Sequence, residues 1–356
     1  MVLIRIFLTL AVGCAGGAMA VRAKIPAGAL VGAMIAVAGF NLLTGVAYLP
    51  WFVRPCAQAV AGAFIALPLT RDRLKDMKQV VKPAGIIVTG MLAFSILCGY
   101  LCHWISGGEV SLMSSFLMST PGGMSDIVLM TPELGGDSFQ VSVVHVIRNF
   151  VILSGFPLMD TMLIRSLIRR RPERFANRLS EGGGMEYRMK SSGGGWNLFL
   201  SLTVALGGGW LGYWTGIPAG ALTFSMVCFA AFNITTHRGR IPLPVRRFTQ
   251  MGTGALVGSL ITRDSFSGVG ALLKPLLMVL GVALAANLLF GFLLCRVTHM
   301  DMYTCFISCI PGGATDMAMI ADSLDGDGVK VASIQIVRFI CVIALYPQIY
   351  LFLARP

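Results

Sequence analysis

Two acids and two arginines recur at matching positions in an otherwise apolar sequence. Asp126 is followed 22 residues later by Arg148, and Asp316 by Arg338 at the same separation. Each acid closes a cassette, Pro121-Gly122-Gly123-Met124-Ser125-Asp126 or Pro311-Gly312-Gly313-Ala314-Thr315-Asp316. Proline lacks a backbone N–H and glycine tolerates unusual dihedrals, so the cassette breaks a helix that carries it. Where the second piece begins, free N–H groups and the positive dipole end favour an anion. The carboxylates suit a coupling proton or a sodium ion. The blander reading makes Ser125, Thr315 and the acids N-terminal residues of a kinked helix. Two copies, each with its arginine, favour a functional site.

Arg148 and Arg338 sit in VSVVHVIRNFVIL and VASIQIVRFICVI, which read as mid-membrane helix. An arginine there costs several kcal/mol unless paired or wetted. It is either the structural ion-pair partner of the acid or a charge that binds an anion or gates. His145 lies one helical turn before Arg148, but its counterpart is Gln335. It reads as a hydrogen-bonded packing group or a proton carrier. The turns Gly136-Asp137 and Gly326-Asp327 lack the remaining ligands of a calcium loop and read as helix starts. Nine cysteines and four scattered histidines show no metal spacing, so no cofactor or metal is expected and an enzyme is disfavoured.

The elements that carry these residues belong to a membrane. Only 12% of the 356 residues are charged and 56% are hydrophobic, with a mean hydropathy of +0.78. A soluble domain carries about a quarter charged residues. Apolar stretches of spanning length recur, 83–106 and 275–295 among them. The whole chain is duplicated. Shifted by 192 residues, Ile25-Pro26-Ala27-Gly28-Ala29-Leu30 reappears as Ile217-Pro218-Ala219-Gly220-Ala221-Leu222, Asn41 as Asn233 and Gln58 as Gln250. The N-terminal stretch could pass for a signal peptide, but Phe7, Leu8 and Leu10 recur as Phe199, Leu200 and Leu202, which argues for a first spanning helix.

The expectation is an all-α polytopic membrane protein with repeats at 1–164 and 196–356, joined by a basic, Gly-rich linker at 165–195. Each half offers about five transmembrane helices plus a broken hairpin around its PGG cassette. If that hairpin dips in and returns, the halves are inverted. With a cytoplasmic linker, Lys and Arg then number 21 inside against 5 outside, whereas a crossing segment gives 16 against 10. The positive-inside rule selects the inverted, re-entrant arrangement in a bacterial cytoplasmic membrane. The short stretch 55–70 barely spans.

The doubled cassette, the Gly-Asp turns, His145-x-x-Arg148 and the Pro157/Pro347 pair resemble the membrane AbrB family, whose members are labelled ammonia monooxygenases or regulators. The resemblance covers both halves. The family carries Glu or a similar polar residue where this chain has Asp126 and Asp316, and the second half lacks the histidine. A monooxygenase needs clustered ligands that the four histidines do not supply, and the linker has no helix-turn-helix pattern, so no nucleic-acid partner is expected. Inverted repeats with broken segments at midplane are the mark of secondary transporters. The expected partners are the bilayer, a small anionic substrate held between the PGG tips and a coupling ion, with room for a homo-oligomer. The competing expectation is a membrane sensor that affects gene expression without transporting.

Overall fold

The computed structural model describes residues 2–23, 28–159, 195–261, 270, 272–298, 300–312, 317–318, 320–321 and 326–354; for 72–79 and 152–159 it gives the helical backbone alone. Of the linker only Gly195 is included, and Gly313, Thr315 and Asp316 of the second cassette lie outside the described residues.

Helices make up the architecture, with no strand among the described residues. The first half runs α1 (Val2–Arg22), α2 (Gly28–Thr44), α3 (Val53–Ala66), α4 (Arg71–Ile105), α5 (Leu112–Ser119), α6 (Met124–Met130) and α7 (Ser138–Met159). The second runs α8 (Gly195–Trp214), α9 (Gly220–Thr236), α10 (Leu243–Ser259), α11 (Leu273–Thr298), α12 (Met302–Cys309) and α13 (Gly328–Leu353). Val2–Arg22, Val80–Ile105, Leu273–Thr298 and Gly328–Leu353 are long and apolar enough to cross a membrane by length and composition. At 14 residues α3 is only about 21 Å long, short of a ~30 Å hydrocarbon core.

The halves interlock by exchanging their third helices. α10 packs on α1 and α2, and α3 packs on α8 and α9. Gly254 and Gly62 allow it, because a side chain there would run into the Leu30 and Leu222 carbonyls. Each exchange is closed by an asparagine. Asn41 donates to the Ser259 and Ile261 carbonyls at 3.0 and 3.2 Å. Asn233 donates to Leu67 and Leu69, the same positions shifted by 192, at 2.9 and 3.0 Å. These carbonyls end α10 and α3, where the helix itself leaves acceptors unpaired. Replacing Asn233 by leucine is expected to cost about 1–3 kcal/mol, because two acceptors lose their donor in apolar surroundings. Unchanged resistance to thermal unfolding would show that the amide closes nothing.

Both hairpins return to the face they enter from. Ser111 caps α5, and the Asp137 N–H just before α7 donates to Ser114 Oγ at 2.9 Å. In the second half Asp301 caps α12, and the Asp327 N–H donates to Thr304 Oγ1 at 2.7 Å. Entrance and exit of each hairpin are thus tied together.

The direction of the helices beside α5 shows inversion independently of charge. α7 runs parallel to α5: Asp137 meets Ser114, His145 meets Leu117, and Arg148 meets Met118 and Thr120. α13 runs the other way. Phe339 and Val342 lie against Gly123 and Gly122 at the tip, while Tyr350, further along, reaches Thr120 and stacks on Phe116 with ring centroids 5.0 Å apart. Equivalent helices of the two halves are antiparallel, so the repeats are inverted.

Candidate functional site

The PGG cassette opens the first hairpin at Thr120–Gly123. Thr120 leaves α5 in an extended conformation (φ −62°, ψ 127°) and Gly123 enters α6 the same way (φ −65°, ψ 123°). Ile310 leaves α12 at φ −67°, ψ 128°, so the second break begins with the same geometry. Gly123 has a reason beyond flexibility. A Cβ there would lie 2.5 Å from Asp126 Oδ2, so the acid folds back over the glycine.

The arginines bind the ends of the broken helices. Arg148 Nη1 donates to the Thr120 carbonyl at 2.8 Å and to Met118 at 3.3 Å. Arg338 Nη1 donates to Ser308, Cys309 and Ile310 at 3.4, 3.4 and 3.1 Å. A cation at a helix C-terminus answers orphan carbonyls and the negative dipole end together. No ion pair joins Arg148 to Asp126 among the described residues, which removes the structural-pair reading for that copy. Both guanidiniums are buried, and the Nε of each is left without a partner.

His145 and Gln335 perform one task with different chemistry. His145 Nε2 bonds the Leu117 carbonyl at 2.9 Å, and Nδ1 receives Arg148 Nη2 at 3.1 Å. A carbonyl only accepts and a guanidinium only donates, which fixes the neutral imidazole with its hydrogen on Nε2. Gln335 Nε2 donates to Ile307, the position equivalent to Leu117, and its Oε1 receives Arg338 Nη2. Both ring nitrogens are occupied, so the geometry favours the packing reading over the proton carrier. His145→Gln is therefore expected to leave thermal stability within about 0.5 kcal/mol, whereas His145→Leu costs about 1–3 kcal/mol. Equal loss in both variants would show that the imidazole does something an amide cannot.

Two cavities flank the first break. The first is lined by both cassette prolines, Pro121 and Pro311, with Arg148, Ser95, Ser119 and Asn287 as its polar groups among the described residues. The breaks of the two inverted hairpins thus share one cavity. Beside it Tyr350 Oη bonds Ser95 Oγ at 2.6 Å and Thr120 Oγ1 at 3.0 Å, tying α13 to the first tip. The second, a cleft, holds Ser125 and Asp126 against Arg246, Thr249, Gln250 and Thr253 of α10. Gln250 donates to Ser125 Oγ at 3.2 Å, and the Arg246 guanidinium lies 4.0 Å from the centre of the Phe64 ring.

Among the expected residues, Pro121, Gly122, Gly123, Ser125, Asp126, His145 and Arg148 gather around the first break, with Asp126 and Arg148 facing different cavities. Pro311 joins the shared cavity, Gly312 lies at the second break with a Cβ position 2.7 Å from Met317, and Arg338 clamps the end of α12. Sequence reasoning missed Arg246, which matches Arg54 under the 192-residue shift, and the facing pair Ser95 and Asn287, which match under the same shift. Gln250 was visible as the copy of Gln58 but carried no assigned role. The signal was polar identity or similarity at repeat-equivalent positions outside the cassettes.

A sequence profile described as "Transition state regulatory protein AbrB" matches the chain in two stretches, 1–164 and 174–354. A Bacillus subtilis (strain 168) protein named "Uncharacterized protein YhjN" is 24% identical over 303 residues, covering 82% of this chain and 76% of that protein. An Escherichia coli (strain K12) protein named "Putative regulator AbrB" is 24% identical over 339 residues, covering 93% of this chain and 91% of that one. The profile match extends through both hairpins.

Proposed function

The chain belongs to the AbrB family, and from that footing we propose that it is a secondary active transporter of a small anionic metabolite in the bacterial cytoplasmic membrane, with the linker in the cytoplasm. The observation that carries this is the shared cavity: two hairpins entering from opposite faces bring Pro121 and Pro311 to one space beside a buried guanidinium. Irregular backbone at that depth is tolerated where it lines a cavity or is buried in protein. The substrate anion occupies that cavity, near the midplane. Asp126 carries the coupling proton or sodium ion in the neighbouring cleft, and its counterpart Asp316 takes the same part in the second half. Rocking, or an elevator stroke, of the hairpin-bearing core against the interlocked helices alternates access. No enzymatic step and no cofactor belongs to this reading.

The name of the Escherichia coli relative favours a second reading, a membrane sensor that binds its ligand without moving it and acts on gene expression through a partner. Purified protein reconstituted in liposomes separates the two by counterflow over a panel of radiolabelled organic anions. Saturable exchange supports the transporter. Ligand binding with no saturable flux for any bound anion supports the sensor.

A further inference from the structure

We propose that the cavity between the two breaks takes a monocarboxylate with an apolar body of a few carbons. This deepens the transport reading by naming the substrate class of its site. Among the described residues, Arg148 is the one charged side chain lining that cavity. Its terminal nitrogens are committed to the Met118 and Thr120 carbonyls and to His145. Its Nε is not: it has no hydrogen-bond partner although the residue is only 1% exposed. A buried donor on a charged group without an acceptor is costly, and a carboxylate oxygen supplies the missing acceptor.

The second oxygen has a donor across the cavity. Asn287 of α11 occupies the position equivalent to Ser95 of α4, so the two-fold relation of the halves sets an amide opposite a hydroxyl. Ser119 at the end of α5 lines the same space. The rest of the wall among the described residues is apolar, with Phe94, Val279 and Val282 in it. Charge decides the class. Among the described residues, Asp126 lines the other cleft and Arg148 alone brings a charge to this one. One carboxylate neutralises it. A dianion brings a second charge that Arg148 does not match, and a neutral molecule leaves the cation uncompensated.

The test is thermal unfolding of the full-length protein in detergent, with sodium butyrate, isovalerate or benzoate against sodium chloride, butyramide and succinate. Ligands that bind only the folded state raise the midpoint. The three monoacids are expected to raise it by a few degrees at saturation, and the amide and the diacid to leave it unchanged. Asn287→Leu is expected to keep its ligand-free midpoint and lose the shift; Ser119→Ala, which removes one small hydroxyl, serves in its place if that variant does not fold. The proposal is overturned if succinate or butyramide stabilises as well as butyrate, if no monoacid stabilises, or if Asn287→Leu and Ser119→Ala keep the full shift. Failure of the transport reading looks different. Monoacid stabilisation without counterflow leaves the binding class standing and removes transport, while counterflow of dicarboxylates alone does the reverse.

Discussion

Asp126→Asn is expected to reduce ion-coupled uptake to the background of empty liposomes while the protein still folds. The substitution keeps the volume of the side chain and its place over Gly123, where no bulkier backbone residue fits. It removes only the capacity to exchange a charge. Asp126 holds no ion pair among the described residues, so little of the fold depends on its carboxylate. Thermal unfolding of the variant, run beside flux driven by a proton gradient and by a sodium gradient, reads both halves of the expectation. Persistent uptake with unchanged ion dependence would make Asp126 structural and move the coupling elsewhere.

Arg338→Leu is expected to lower stability by about 2–4 kcal/mol, the larger of the structural effects. The Cys309 carbonyl and the Gln335 oxygen lose their donor, while the Ser308 and Ile310 carbonyls keep only the Gln335 amide. Each unsatisfied acceptor in a dry setting costs about 1–3 kcal/mol. Removing a buried cation relieves part of that loss, since an arginine at membrane depth is itself costly. Arg338→Lys should fall between, because an ammonium lacks the planar fork that serves several acceptors together. Unchanged unfolding in the leucine variant would mean that water already reaches those carbonyls. The contrast with His145→Gln is instructive: one change removes a donor set, the other replaces one donor–acceptor pair by an equal one.

Much of the architecture was legible because the chain repeats itself. The PGG cassettes, the equivalent asparagines and the redistribution of lysine and arginine between alternate loops gave five spans, a re-entrant hairpin and inversion. The structure bears out the inversion through the opposed directions of α7 and α13 and ties the hairpin mouths at Ser114 and Thr304, while four helices among the described residues have spanning length. The Gly-Asp turns also read correctly, since Asp137 and Asp327 accept the first N–H groups of α7 and α13. The partners of Arg148 and Arg338 were not legible. Their acceptors are backbone carbonyls, which every residue type supplies alike, so no side-chain pattern announces them. Arg246 was hidden for another reason. Its role depends on α10 crossing to the hairpin of the opposite half, and a charge count treats it as a loop marker. His145 is, by its bonds, a stand-in for glutamine.

The exchange of third helices has a consequence for how the chain is made. When α1 and α2 emerge from the ribosome, the helix that will cover them, α10, is about two hundred residues from synthesis. α3 likewise waits for α8 and α9. Neither half can therefore bury its own glycine-lined grooves as it is inserted, and the first half persists in the bilayer as an open assembly until the second arrives. Such non-local closure delays folding until the distant contacts can form. A gene cut within the linker would yield two pieces that each insert, and only their joint presence would restore a protein that resists degradation.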